Sequence, residues 1–123
     1  MTVLDRSEPI EIGGKTYQIL FTTKALIGVE SELQGGNLIV VMSDPKRVQS
    51  FSVIYTLFKH GMLAGNKGLD EAAVNKLFFA TVDESGSYFY AGNKSWTAVL
   101  KCGLIKPAPE PAPKNRRAAV KNA

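Results

Sequence analysis

Apolar and polar residues alternate near the start of the chain. Ile10-Glu11-Ile12 is followed by Gly13-Gly14, and Thr16 to Phe21 alternates again. Two consecutive glycines between alternating runs predict a hairpin with a two-residue turn. Pairing Ile12 with Lys15 places Ile10 opposite Tyr17. Ile10, Ile12, Tyr17, Ile19 and Phe21 then share one face, while Glu11, Thr16 and Gln18 share the other. The hairpin is expected over about 9–21.

Beyond it the period changes to that of helices. Thr22 or Thr23 is a cap for a helix over about 23–33, with Leu26, Val29 and Leu33 inward and Gly35-Gly36 as its stop. Asn37 to Met42 fits either a strand or a short helix, with helix favoured. Asp44-Pro45 is a helix start, and the next helix is expected over about 45–60. Val48, Phe51, Tyr55 and Phe58 fall on one face of it, widened by Ile54 and Leu57, and Gly61 ends it. Leu63 to Gly68 reads as a loop. Asp70 caps a helix over about 71–81, with Leu69 and Val74 spaced as a hydrophobic staple. Val74, Leu77 and Phe78 face inward on it. Asp83 to Ser87 reads as a loop, and the last helix covers about 87–102. Phe89, Trp96, Val99 and Leu100 are expected to face inward. Gly92 and Asn93 weaken its middle by up to ~1 kcal/mol, which allows two pieces.

From Pro107 the pattern ends. Pro107, Pro109, Pro111 and Pro113 alternate with Ala108, Glu110 and Ala112, which excludes a helix and favours an extended chain. The expected fold is α+β: an N-terminal β-hairpin followed by a mainly α-helical body, with a disordered, Pro-rich, basic C-terminal tail. Residues 1–105 are read as a single small domain and 106–123 as the tail, in keeping with a length of 123 residues.

Charge sharpens this division. Residues 1–105 hold ten bases and ten acids, whereas residues 106–123 hold five bases and one acid, so the net +4 resides in the tail. A neutral body is poor material for an electrostatic nucleic-acid face. Asp5, Arg6, Ser7 and Glu8 interrupt the place of a secretory h-region. The longest clear apolar run, Leu38 to Met42, is far short of the ~20 residues of a membrane span. A cytosolic chain with a free thiol at Cys102 is expected.

Candidate chemistry is sparse. One cysteine and one histidine cannot build a structural zinc site, an iron–sulfur site or a disulfide framework. His60 as a general base would need an oriented partner. A solvated histidine at a helix end is the simpler reading. Cys102 as a nucleophile would need a base such as His60, and a buried small apolar side chain is simpler. In Gly92-Asn93-Lys94-Ser95 an asparagine separates the glycine from the lysine, against the G-x-x-x-x-G-K-[ST] spacing of a phosphate loop. Gly65-Asn66-Lys67-Gly68 lacks the hydroxyl. Asp83-Glu84 lacks the spaced oxygen ligands of a calcium loop. No enzyme activity, cofactor or metal site is predicted. The aromatics Phe78, Phe79, Tyr88, Phe89, Tyr90 and Trp96 cannot all face one way, because helical neighbours are ~100° apart. Phe79, Tyr88 and Tyr90 are therefore candidates for a partner surface. In the tail, Lys114, Arg116, Arg117 and Lys121 are candidates for contact with an acidic partner or nucleic acid.

Three blocks carry a resemblance: Glu11-Ile12-Gly13-Gly14-Lys15-Thr16-Tyr17, then Phe21-Thr22-Thr23-Lys24-Ala25-Leu26, then Val29-Glu30-Ser31-Glu32-Leu33. The chain resembles the short tail assembly chaperones of long-tailed phages and gene transfer agents. Members of the gene-transfer-agent branch are also labelled tail tube proteins. Val29-Glu30 stands where Leu-Glu is usual. The resemblance covers residues 10–60 by motif and 61–105 by helix pattern, and brings no catalytic residues. It implies a protein that coats the apolar, helical tape measure protein, keeps it soluble, recruits tail tube subunits and leaves before the tail is complete. It also implies self-association, a host-cytoplasmic location and absence from the mature particle. Many such proteins have a second, longer form made by ribosomal frameshifting near the end of the short gene, and the proline-rich tail would sit at that junction.

Two other classes compete with this reading. A structural tail component, a tube or connector subunit, would be built on more sheet than one hairpin. A nucleic-acid module would rest on the five tail bases, with binding that falls steeply with salt.

Overall fold

Ile10, Ile12, Ile19 and Phe21 are all buried, and the hairpin that presents them forms the first layer of the molecule. The computed structural model describes residues 6–33 and 37–105. Strand β1 (Glu8–Ile12) pairs antiparallel with β2 (Lys15–Ile19), Ile12 opposite Lys15 and Ile10 opposite Tyr17. Gly13 and Gly14 have φ of 60° and 80°, the two positive values of a type I′ turn. Register and faces are those the alternation predicts, with Tyr17 half-buried and Glu11 and Thr16 exposed.

A mainly helical body follows, so the fold is α+β. Its described helices are α1 (Thr23–Glu32), α2 (Leu38–Met42), α3 (Pro45–Val48), α4 (Phe51–Gly65), α5 (Glu71–Ser85) and α6 (Phe89–Lys101). Side chains of Thr22, Asn37, Asp44, Ser50 and Asp70 cap the first five by accepting backbone N–H bonds. Helix α4 is central. It packs on β2, α1, α5 and α6, and its Ile54, Leu57, Phe58 and Met62 are among the most deeply buried side chains.

Several helix boundaries differ from the expected ones. The segment expected as one helix over 45–60 is two, because Ser50 accepts from Val53 N–H and restarts the helix after a break at Gln49. Gly61 does not end α4. It lies against the hairpin, where a Cβ would come within 2.5 Å of Ile19 Cγ2, and Gly65 is tighter still, at 2.2 Å from the Gln18 carbonyl oxygen. The loop expected from Leu63 therefore begins only after Gly65. Helix α5 runs past residue 81, through the expected loop at Asp83, to Gly86 with φ 79°. Asp83 and Glu84 are exposed and helix-compatible, so only that glycine stops it. Helix α6 is one piece from Phe89. Gly92 is where it crosses α4, and a Cβ there would lie 2.8 Å from Ile54 Cδ1. Asn37 caps a short helix, as favoured. The Gly35-Gly36 stop and the tail lie outside the described residues.

The hairpin's outward backbone groups are met by the helices. Gln18 N–H donates to Asn66 Oδ1 at 3.0 Å, and Asn66 Nδ2 donates back to the Gln18 carbonyl at 2.7 Å. Asn66 thus imitates one residue of a third strand. Leu20 N–H donates to the Gly61 carbonyl at 3.0 Å. On the other edge Glu11 N–H donates to the Tyr90 hydroxyl at 3.3 Å, and Pro9 has no N–H to leave unpaired. Glu84 Oε1 accepts from Gly13 N–H at the turn.

Candidate functional site: an aromatic strip at the start of α4 and along α6

Helix α4 begins anew after the break at Gln49-Ser50. Its buried face is Ile54, Leu57, Phe58, Gly61 and Met62, spaced as one side of a helix. Phe51 lies on the same side but in the first turn, ahead of the first buried residue Val53, and is 55% exposed, against the expectation that it is buried. Its ring rests on Tyr88, with centroids 4.2 Å apart, and Tyr88 rests on Phe89 at 5.0 Å. Phe89, expected inward, is 52% exposed.

The trio continues along α6. Phe89, Asn93, Trp96 and Leu100 follow the i, i+4, i+7, i+11 spacing of one helix face. Leu100 was also expected inward and is 65% exposed, and Leu104 beyond the helix is exposed too. Trp96 is half-buried and held in place: its Nε1–H donates to the Val48 carbonyl at 2.9 Å. That bond ties α3 to α6. The opposite side of α6 is committed to the core through Ala91, Ser95, Ala98, Val99 and Cys102. Toward the hairpin, Lys94 and Lys101 each reach Glu8 at 3.0 Å. Burial of Glu8 works against its charge, but the two ammonium groups outweigh burial and hold its carboxyl below the ordinary value.

The candidate partner residues do not form one surface. Tyr88 belongs to the strip. Tyr90 is half-buried and faces the hairpin, accepting from Glu11 N–H, with Lys94 Nζ 5.9 Å from its ring centroid. It is a tie between layers. Phe79 is 64% exposed on α5, its ring centroid 6.5 Å from that of Phe78 in the core. Lys114, Arg116, Arg117 and Lys121 lie outside the described residues. Phe51, Phe89 and Leu100 are the residues that the sequence reading wrongly placed in the core. For Phe51 the signal was Ser50, whose cap makes it the first residue of a new helix, ahead of the buried turns.

The chemically suggestive side chains are occupied structurally. His60 lies within α4 rather than at its end, and its ring covers Gly28, where a Cβ would come within 2.7 Å. Its Nε2 is 3.2 Å from Glu32 Oε2, within ion-pair reach but off the line of a hydrogen bond. Lys59 Nζ also meets Glu32, at 2.9 Å. The Lys59 hydrogen bond, with a smaller contribution from His60, lowers the Glu32 carboxyl against the opposing effect of burial. Burial likewise opposes the charge of Lys59, and the bond to Glu32 overcomes it and raises the ammonium. Cys102 is 1% exposed and donates to the Val99 carbonyl at 3.0 Å. Among the described residues no three His, Cys, Asp or Glu side chains are grouped to hold a metal ion. No helix among them is long and apolar enough to cross a membrane. The arrangement offers apolar surface at the start of α4 and along α6. No protein-family model, no curated protein and no solved structure matches this chain.

Proposed function

We propose that the chain is a phage tail assembly chaperone. It binds the tape measure protein, keeps it soluble in the host cytoplasm, recruits tail tube subunits and leaves before the particle is complete. The observation that carries this reading is the exposed strip of Phe51, Phe89 and Leu100, joined by the half-buried ring of Tyr88, on a body whose other large apolar side chains mostly form one core. A long apolar helical client needs apolar surface to pack on. Aromatic anchors supply most binding energy at such contacts. The residues that carry the family resemblance, Glu11 to Tyr17, form the hairpin on which α4 and α6 are seated.

A tube or connector subunit would be expected to extend its sheet from an open edge. Here Pro9, Tyr90, Gly61 and Asn66 occupy the positions a further strand would need. This favours the chaperone reading over the structural one.

The experiment is co-expression with the protein encoded next downstream. The expected result is that this larger protein becomes soluble and co-purifies with the chain. If it stays insoluble while the chain is found by mass spectrometry in finished particles, the structural reading replaces this one.

A further inference from the structure

We propose that the strip along α6 is covered in cis by the chain's own segment Pro107–Pro113, running back from the end of α6 toward Phe89, Tyr88 and Phe51.

Position and length favour this occupant. The segment leaves the body just after Leu104 and Ile105, where the strip ends. From Leu100 back to Phe89 is about 17 Å at the helical rise of 1.5 Å per residue. Seven residues of polyproline helix span about 22 Å. The segment therefore reaches the aromatic trio with no slack loop.

Chemistry points the same way. Proline-rich segments dock on aromatic-lined surfaces because their ring faces are apolar and little conformational freedom remains to be lost. With three residues per turn, Ala108 and Pro111 share one face, Pro109 and Ala112 the next, and Glu110 falls on the third. Two adjoining faces are thus apolar and fit against Leu100, Trp96 and Phe89. Glu110, about 9 Å along, arrives near the level of Trp96, whose indole is bonded beside α3 and its exposed Lys46. Lys114, Arg116 and Arg117 arrive at the start of α6. One tight turn away, the last turns of α5 carry the exposed acids Asp83 and Glu84. The neutral body and basic tail are complementary at that end.

Tethering makes weak contacts sufficient. A short flexible connection holds its segment at an effective concentration of about 1 mM, so millimolar intrinsic affinity already gives substantial occupancy. The docking does not depend on the chaperone reading. Resting on that reading, it would make the tail a cover that a client has to displace.

The test is paramagnetic broadening in the full-length chain, with a nitroxide attached through Ala112→Cys. Cys102 is 1% exposed, so the label goes to the introduced thiol. The expected result is loss of most of the amide signal at Phe89, Asn93 and Trp96, with Ile27 and Ser31 of α1 unaffected. Exchanging Pro107, Pro109, Pro111 and Pro113 for serine should restore the signals. Uniformly weak broadening would overturn the proposal. Broadening that persists in the serine variant would also overturn it, because charge alone would then draw the tail. So would broadening that appears only when labelled chains are mixed with isotope-labelled, nitroxide-free ones, since a second copy would then be the occupant.

Discussion

At the C-terminal half of α4, Gly61 and Gly65 bring the helix backbone onto β2, and Asn66 completes the strand edge with two hydrogen bonds. At the other end of the same helix, Phe51 is half out of the core and leans only on Tyr88 among the rings around it. The first region is filled to backbone contact. The second leaves apolar surface unused by the fold. A helix that already has several packed neighbours and a sealed seam does not need Phe51, Phe89 or Leu100 for its own stability, and the fold leaves them uncommitted.

The comparison breaks most sharply at Gly65. Gly65→Val would drive a side chain into the Gln18 carbonyl, and the urea midpoint should fall by the equivalent of about 3 kcal/mol. Asn66→Ala would strand the Gln18 N–H and carbonyl together, costing about 2 kcal/mol in the same measurement. Gly14→Val would place a β-branched residue at φ 80° and cost about 1–2 kcal/mol. Unchanged stability in either seam variant would mean that the helix–hairpin contact is looser than described.

Acid should loosen the ties of α6 to β1 and of α1 to α4. The Glu8 and Glu32 carboxyls are lowered from an ordinary value of 4.5. Their contribution is therefore complete above that value and is lost as pH falls through the folded one, because the unfolded state then binds more protons. Lys59 is raised, so its contribution is present below 10.5 and fades only in strong alkali. Urea midpoints should be flat around neutrality and drop below about pH 4.5. Glu8→Gln should flatten the acid limb, and an unchanged limb would separate the Lys94 and Lys101 pairs from stability.

The strip should behave in the opposite way. Phe89→Ser should change stability by no more than about 0.5 kcal/mol, while weakening client binding about tenfold or more. Deleting residues 106–123 should leave the midpoint within about 0.5 kcal/mol of the full chain.

Legibility in the sequence follows the same division. The hairpin was readable to its register because alternation and a Gly-Gly turn are local signals. The caps at Thr22, Asp44 and Asp70 were readable for the same reason. Gly61 read as a stop and Gly92 as a weak point, because their purpose lies in neighbours far along the chain: Ile19 for one, Ile54 for the other. Phe51 was assigned to the core because Val48, Phe51, Tyr55 and Phe58 make a continuous stripe if the helix is continuous. The serine cap makes Phe51 the first residue of α4, ahead of the buried turns, so it is half exposed although it keeps the phase of Phe58.

The most direct measurement is made on the part of the strip that α6 carries. The double variant Phe89→Ser, Leu100→Ser and the single variant Phe79→Ser should each be co-expressed with the tape measure protein and its soluble fraction measured. If the proposed chaperone function holds, the parent chain keeps the tape measure protein soluble, the double variant, still folded, does not, and Phe79→Ser behaves as the parent chain does. Equal solubility with the double variant and the parent chain would contradict it.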